Sequence, residues 1–86
     1  MNYELLTKQV CNLSRTVGNY IKDEVEKLND SQVKEKGVHD YVTYVDLEAE
    51  KRITSELSRF LPGAGFIVEE NKELEKSDKY NWIVDP

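Results

Sequence analysis

Leu61-Pro62-Gly63-Ala64-Gly65-Phe66-Ile67-Val68-Glu69-Glu70 is where this chain changes period. Ahead of it, Ala49, Ile53, Leu57 and Phe60 or Leu61 recur at helical spacing, which predicts a helix over about 47–60. Asp46 stands where an N-cap belongs, and Glu48 and Glu50 suit the positive end of the helix dipole. Pro62 and Gly63 stop that helix. Behind them Phe66-Ile67-Val68 is short, rich in β-formers, and bounded by glycine on one side and charge on the other. A helix thus gives way to a strand within ten residues.

Outward toward the N-terminus, Asn29 to Asp40 reads as a polar loop. His39-Asp40-Tyr41-Val42-Thr43-Tyr44-Val45, with three β-branched residues, reads as a short extended piece or hairpin. Further out, Leu6, Val10, Leu13, Val17, Ile21, Val25 and Leu28 form one helical stripe. They predict an amphipathic helix over 3–29, roughly 40 Å long. Such a face needs a partner surface of similar length, so association of copies through this helix is expected. Gly18 on this helix implies a close crossing or a mild bend, and Cys11 reads as a small buried hydrophobe.

Outward toward the C-terminus, Asn71 to Lys79 is mostly charged and reads as a solvated connection. Tyr80-Asn81-Trp82-Ile83-Val84 is the second strand candidate, and strands are expected near 66–69 and 80–85. Asp85-Pro86 follows this apolar run directly. The expectation is that residues 1–86 are the N-terminal part of a single larger domain, incomplete at the C-terminus.

Composition narrows the classes. Of 86 residues, 12 are Lys or Arg and 17 Asp or Glu, a net charge of −5 that disfavours a nucleic-acid backbone as partner. Leu, Ile, Val and Phe supply 23 residues, above the fifth typical of a disordered acidic chain. A chain of this size still buries only ~60–65% of its surface, which excludes a large core. No apolar run approaches the ~20 residues of a membrane span, and no secretory signal is visible. One cysteine forms no internal disulfide or thiolate cage, which suits a reducing cytoplasm.

The chemistry rests on carboxylates. Glu69, Glu70 and Asp85 each lie at the C-terminal end of a strand candidate, so neighbouring strands would bring Glu69 or Glu70 close to Asp85. Clustered carboxylates without His or Cys are the hard-oxygen set that suits Mg²⁺, with Asp46 as a fourth candidate. The same residues also fit solvated surface, and Asp46 a simple cap. His39 beside Asp40 has no nucleophile to serve. Gly63 and Gly65 lack the lysine and following helix of a phosphate loop.

Taken in order, these pieces resemble the N-terminal part of the inositol monophosphatase family, the Mg²⁺-dependent, lithium-sensitive phosphatases. After the long helix, His39-Asp40-Tyr41-Val42-Thr43-Tyr44-Val45-Asp46 resembles the family's Asp-Leu-Val-Thr-x-x-Asp segment, with Tyr41 where Leu is usual. Phe66-Ile67-Val68-Glu69-Glu70 resembles the strand ending in Gly-Glu-Glu, with Val68 replacing the Gly. Trp82-Ile83-Val84-Asp85-Pro86 resembles the start of Trp-x-x-Asp-Pro-x-Asp-Gly-Thr.

The resemblance implies the α/β class, here as an α+β fragment: two helices on the first strands of an antiparallel-rich, layered sugar-phosphatase fold. It implies Glu69 as a metal ligand that also contacts the substrate phosphate region, Asp85 as a metal-bridging aspartate, and Glu70 as their acidic neighbour. Asp46 is implied in orienting the attacking water, and Lys36, or Lys34 if the loop shifts by two, as a basic residue near the metal waters. The implied activity is hydrolysis of inositol, sugar or polyol phosphate monoesters by the complete chain, with the 86 residues alone inactive. A bisphosphate nucleotidase or fructose bisphosphatase is the alternative within the superfamily. A non-catalytic acidic helical module that docks a partner is the alternative from another class.

Overall fold

The computed structural model describes residues 1–27, 38–68 and 74–85, with Val38 and His39 described by backbone alone. Four elements follow one another: α1 (Tyr3–Glu26), α2 (Val38–Phe60), β1 (Gly65–Val68) and β2 (Asn81–Val84). Asn2 caps α1, its Oδ1 accepting from the Leu5 N–H at 3.0 Å, and Glu4 sits in the first turn where the dipole favours it. At the other end the Lys27 N–H donates to the carbonyls of Glu24 and Val25.

α2 begins far earlier than the sequence reading placed it. The segment 39–45 is helix, not strand or hairpin. Tyr41, Val45 and Ala49 lie four residues apart and are all buried. Tyr20 and Ile21 of α1 pack against Tyr41 and Val45. The β-branched Val42 and Thr43, which suggested a strand, face solvent. Propensity is a weak preference here, and packing of the inner face overrides it. Asp46 is therefore no N-cap; it lies more than two turns inside α2 and is exposed. Tyr41 ties the two helices further, its hydroxyl donating to the Glu24 carboxylate and, at 3.4 Å, to the Glu24 carbonyl.

A second cluster joins the helices to the strands. Leu57, Phe66 and Val84 are buried, with Val10, Leu13, Ile53, Phe60, Val68, Leu74 and Trp82 packed around them. Late α1 thus meets early α2, and early α1 meets late α2, so the helices run antiparallel. The α2–β1 turn uses Pro62 and Gly63 at its centre: the Ala64 N–H donates to the Leu61 carbonyl at 3.2 Å, and Gly63 has φ +87°. That is type II geometry, and only glycine takes the left-handed position without strain.

The two strands pair in parallel, with Gly65, Phe66, Ile67 and Val68 opposite Asn81, Trp82, Ile83 and Val84. The antiparallel pairing expected for the sheet is not what this pair adopts. Two local readings are also corrected. Cys11 is exposed, not buried, because it lies to one side of the stripe. Gly18 is exposed with nothing within 4 Å of a built Cβ, so no close crossing occurs there. Of the stripe itself, Val17 is buried, Leu6, Val10, Leu13 and Ile21 are half-buried, and Val25 is exposed; Leu28 lies outside the described residues. Among the described residues no helix is long and apolar enough to cross a membrane.

Candidate functional site at the carboxyl end of the parallel pair

Parallel pairing brings both strands to the same end, which is what a shared carboxylate site requires. Phe66, Val68, Trp82 and Val84 turn toward the helices, while Ile67 and Ile83 turn away. The last register pair is Val68 and Val84. Asp85 comes next in β2's direction and is exposed. It borders an open pocket of about 290 Å³ whose floor is Val10, Leu13, Ile53 and Leu57, with Ser14 at the side. The Trp82 indole N–H in the same wall is buried and has no acceptor among the described residues.

The other candidates divide into two groups. Glu69, Glu70, Lys34 and Lys36 lie outside the described residues. Asp46 is described, and it borders a different pocket, with Ile21, Val25, Tyr41, Val42 and Val45. Among the described residues Asp46 and Asp85 thus line separate pockets. Among the described residues no group of three or more His, Cys, Asp or Glu side chains is placed to hold a metal ion.

Sequence reasoning overlooked the inner polar face of α2. Glu50 is 1% exposed and Thr54 6% exposed. Glu50 is not free, having an interaction partner of its own. The signal was present: Glu50 stands three and seven residues before Ile53 and Leu57, on the face that packs. Charge elsewhere is also engaged. Arg52 lies 3.8 Å from the centre of the Tyr20 ring and pairs with Glu48 at 3.2 Å, beside the large groove of about 650 Å³ between α1 and α2. Burial pushes the Tyr20 hydroxyl up to about 12, helped by the nearby Glu24. The hydrogen bond to Glu24 pushes Tyr41 up to about 12 as well.

The sequence profile of a known family matches residues 2–86. The chain belongs to the inositol monophosphatase family. Its relatives include an inositol-1-monophosphatase of Mesorhizobium japonicum, 45% identical over 75 residues, which are 86% of this chain and 25% of the relative. The Nus factor SuhB of Vibrio cholerae is 39% identical over 74 residues, 85% of this chain and 28% of that protein. The fructose-1,6-bisphosphatase/inositol-1-monophosphatase of Aquifex aeolicus is 32% identical over 69 residues, 80% and 26% respectively. The chain thus spans about a quarter of the length of the curated relatives it matches. No solved structure gives a significant match. Two helices and a two-stranded parallel sheet are consistent with an α/β portion of a member of that family.

Proposed function

We propose that the complete protein is a metal-dependent phosphoric monoester hydrolase acting on inositol phosphates or closely related sugar and polyol phosphates. The observation that carries this reading is the family match across residues 2–86, which includes Asp85 at the carboxyl end of β2. In this reading Asp85 and Glu69 hold Mg²⁺, and Glu70 stands beside them. Glu69 and Asp85 are the sequence successors of the register partners Val68 and Val84. The donor chemistry fits the ion: the candidates are carboxylates alone, and Asp85 is exposed with open space next to it. The metal supplies Lewis acidity at the phosphate and a bound water of lowered pKa. In the same reading Lys36, or Lys34, and Asp46, which lines a pocket apart from Asp85 within residues 1–86, orient water around the reacting phosphate once the rest of the domain is in place. The protein acts in the cytoplasm, and copies associate through the exposed part of the α1 stripe. The activity requires the whole domain, and residues 1–86 alone do not turn over.

Fructose bisphosphatase activity is the second reading, favoured by the double name of the Aquifex relative. Both are tested by phosphate release from inositol 1-phosphate, fructose 1,6-bisphosphate and a 3′,5′-bisphosphonucleoside, with and without a chelator. The expected result is Mg²⁺-dependent release that nearly vanishes in Glu69→Ala and in Asp85→Ala, and falls less in Glu70→Ala and Asp46→Asn. Undiminished turnover in the Glu69→Ala, Asp85→Ala double variant, or in chelator, overturns the reading.

A further inference from the structure

Two strands of four residues carry little register information of their own. Phe66, Ile67 and Val68 oppose Trp82, Ile83 and Val84, apolar against apolar at each step. A slide of two residues would keep Trp82 and Val84 on the face toward the helices. It would also carry Asp85 about 7 Å along β1. The feature that opposes such a slide is polar and lies at the other end of the pair. Asn81 closes on the backbone of Ser77: its Oδ1 accepts from the Ser77 N–H at 2.7 Å and its Nδ2 donates to the Ser77 carbonyl at 2.8 Å. Gly65, the register partner of Asn81, lies directly against this clamp. A Cβ at Gly65 would overlap the Ser77 nitrogen, Asn81 Oδ1 and the Lys76 carbonyl carbon. Two backbone bonds fasten the contact, from the Gly65 N–H to the Tyr80 carbonyl at 2.8 Å and from the Phe66 N–H to the Glu75 carbonyl at 2.9 Å. Ala64 and Phe66 on either side carry a Cβ, and Gly63 is occupied in the turn at φ +87°. Within β1 the clamp fits at Gly65 alone.

We propose that Asn81, seated on Gly65, is a positioning residue: it fixes the register of β2 on β1 and with it the level at which the Asp85 carboxylate stands at the carboxyl end of the pair. The inference rests on the reading of Asp85 as a metal ligand. It says that a side chain four residues away, at the opposite end of the strand, governs metal affinity through backbone register.

The test uses the complete protein and measures Mg²⁺ binding by calorimetry beside thermal unfolding of the metal-free form. Asn81→Ala is expected to weaken Mg²⁺ binding about tenfold, the lower end of what supporting contacts around a metal ligand are worth. Asn81→Asp keeps the acceptor for the Ser77 N–H and should fall between. Its added charge is about 13 Å from Asp85 along the strand. That exceeds the screening length of about 8 Å at 0.15 M salt. A residue that merely closes the 77–81 turn would lower the unfolding temperature and leave the Mg²⁺ affinity of the folded protein untouched. Unchanged affinity in Asn81→Ala therefore overturns the proposal, and if that variant does not fold, unchanged affinity in Asn81→Asp does so. Asp85→Asn separates the two levels: wild-type affinity there overturns the metal reading itself. Lost affinity in Asp85→Asn beside unchanged affinity in the Asn81 variants overturns the register inference alone.

Discussion

Leu57→Ala probes the contact through which the helices hold the strands. Leu57 is 3% exposed and packs with Phe66 of β1 and Val84 of β2. The substitution deletes three carbons, and at about 0.8 kcal/mol per buried methylene the transfer loss is roughly 2–2.5 kcal/mol. A sealed cavity would add to this, as in cores where Leu→Ala reaches about 5 kcal/mol. Here the new space opens into the pocket bordered by Leu57 and Asp85, so water and Ile53 can fill it and the cavity contribution stays small. The expected cost is about 2–3 kcal/mol. Native-state hydrogen exchange in the complete protein reads it locally, as opening of the strands. Amides of Gly65–Val68 and Asn81–Val84 should exchange roughly 30- to 150-fold faster at that cost. Leu5→Ala, at a side chain 53% exposed, serves as the control and should change stability by under about 0.5 kcal/mol. Acceleration below about fivefold in Leu57→Ala would refute the reasoning, because that corresponds to about 1 kcal/mol and the strands would then be held by some other contact.

Gly18 is helical, exposed and surrounded by open space, so Gly18→Ala should stabilise the protein by about 1 kcal/mol in urea unfolding. A loss of stability would mean that another surface packs on Gly18. Stability should also fall in alkali. Tyr41 is raised to about 12 by its hydrogen bond to Glu24, and Tyr20 to about 12 by burial. The folded protein keeps protons that unfolded tyrosines release near pH 10, so this stabilisation is complete below pH 10 and is lost as pH rises to 12. Tyr41→Phe should flatten that decline, leaving the share due to Tyr20; an unaltered slope across pH 10–12 would exclude the Tyr41–Glu24 contact as its source. Cys11, being exposed, should react with iodoacetamide in the folded state with helicity by circular dichroism unchanged.

The helices and strands were legible where one signal stood alone. Ala49, Ile53 and Leu57 have a single reading, as does the Pro62-Gly63 stop, and the strands begin and end within a residue or so of their predicted limits. At 39–45 two signals competed. Val42, Thr43 and Val45 spoke for a strand, while Tyr41, Val45 and Ala49 already held the four-residue spacing of a helix face. Burial against Tyr20 and Ile21 decided between them, and burial is not written in seven residues. Strand direction was illegible for a different reason. A short apolar run looks the same in parallel and antiparallel pairs, and the connection of a dozen residues to β2 permits either. Asp85 at a strand end was readable from Trp82-Ile83-Val84 before it. Asp46 was not, because its place two turns inside α2 depends on where that helix starts.

The parallel pairing also sets the order in which this part of the protein can be made. Val10 and Leu13 pack against the cluster that Val84 completes, so the chain must close a span of about 70 residues before the second cluster is whole, and contacts of such separation form slowly. On the ribosome the α1–α2 pair can form first, since Tyr41 meets Glu24 only 17 residues away. Leu57 is then fully enclosed only once both Phe66 and Val84 have emerged. Asp85 is synthesised one residue after the side chain that completes its support, so the carboxylate is never displayed on a finished surface ahead of the strand that places it.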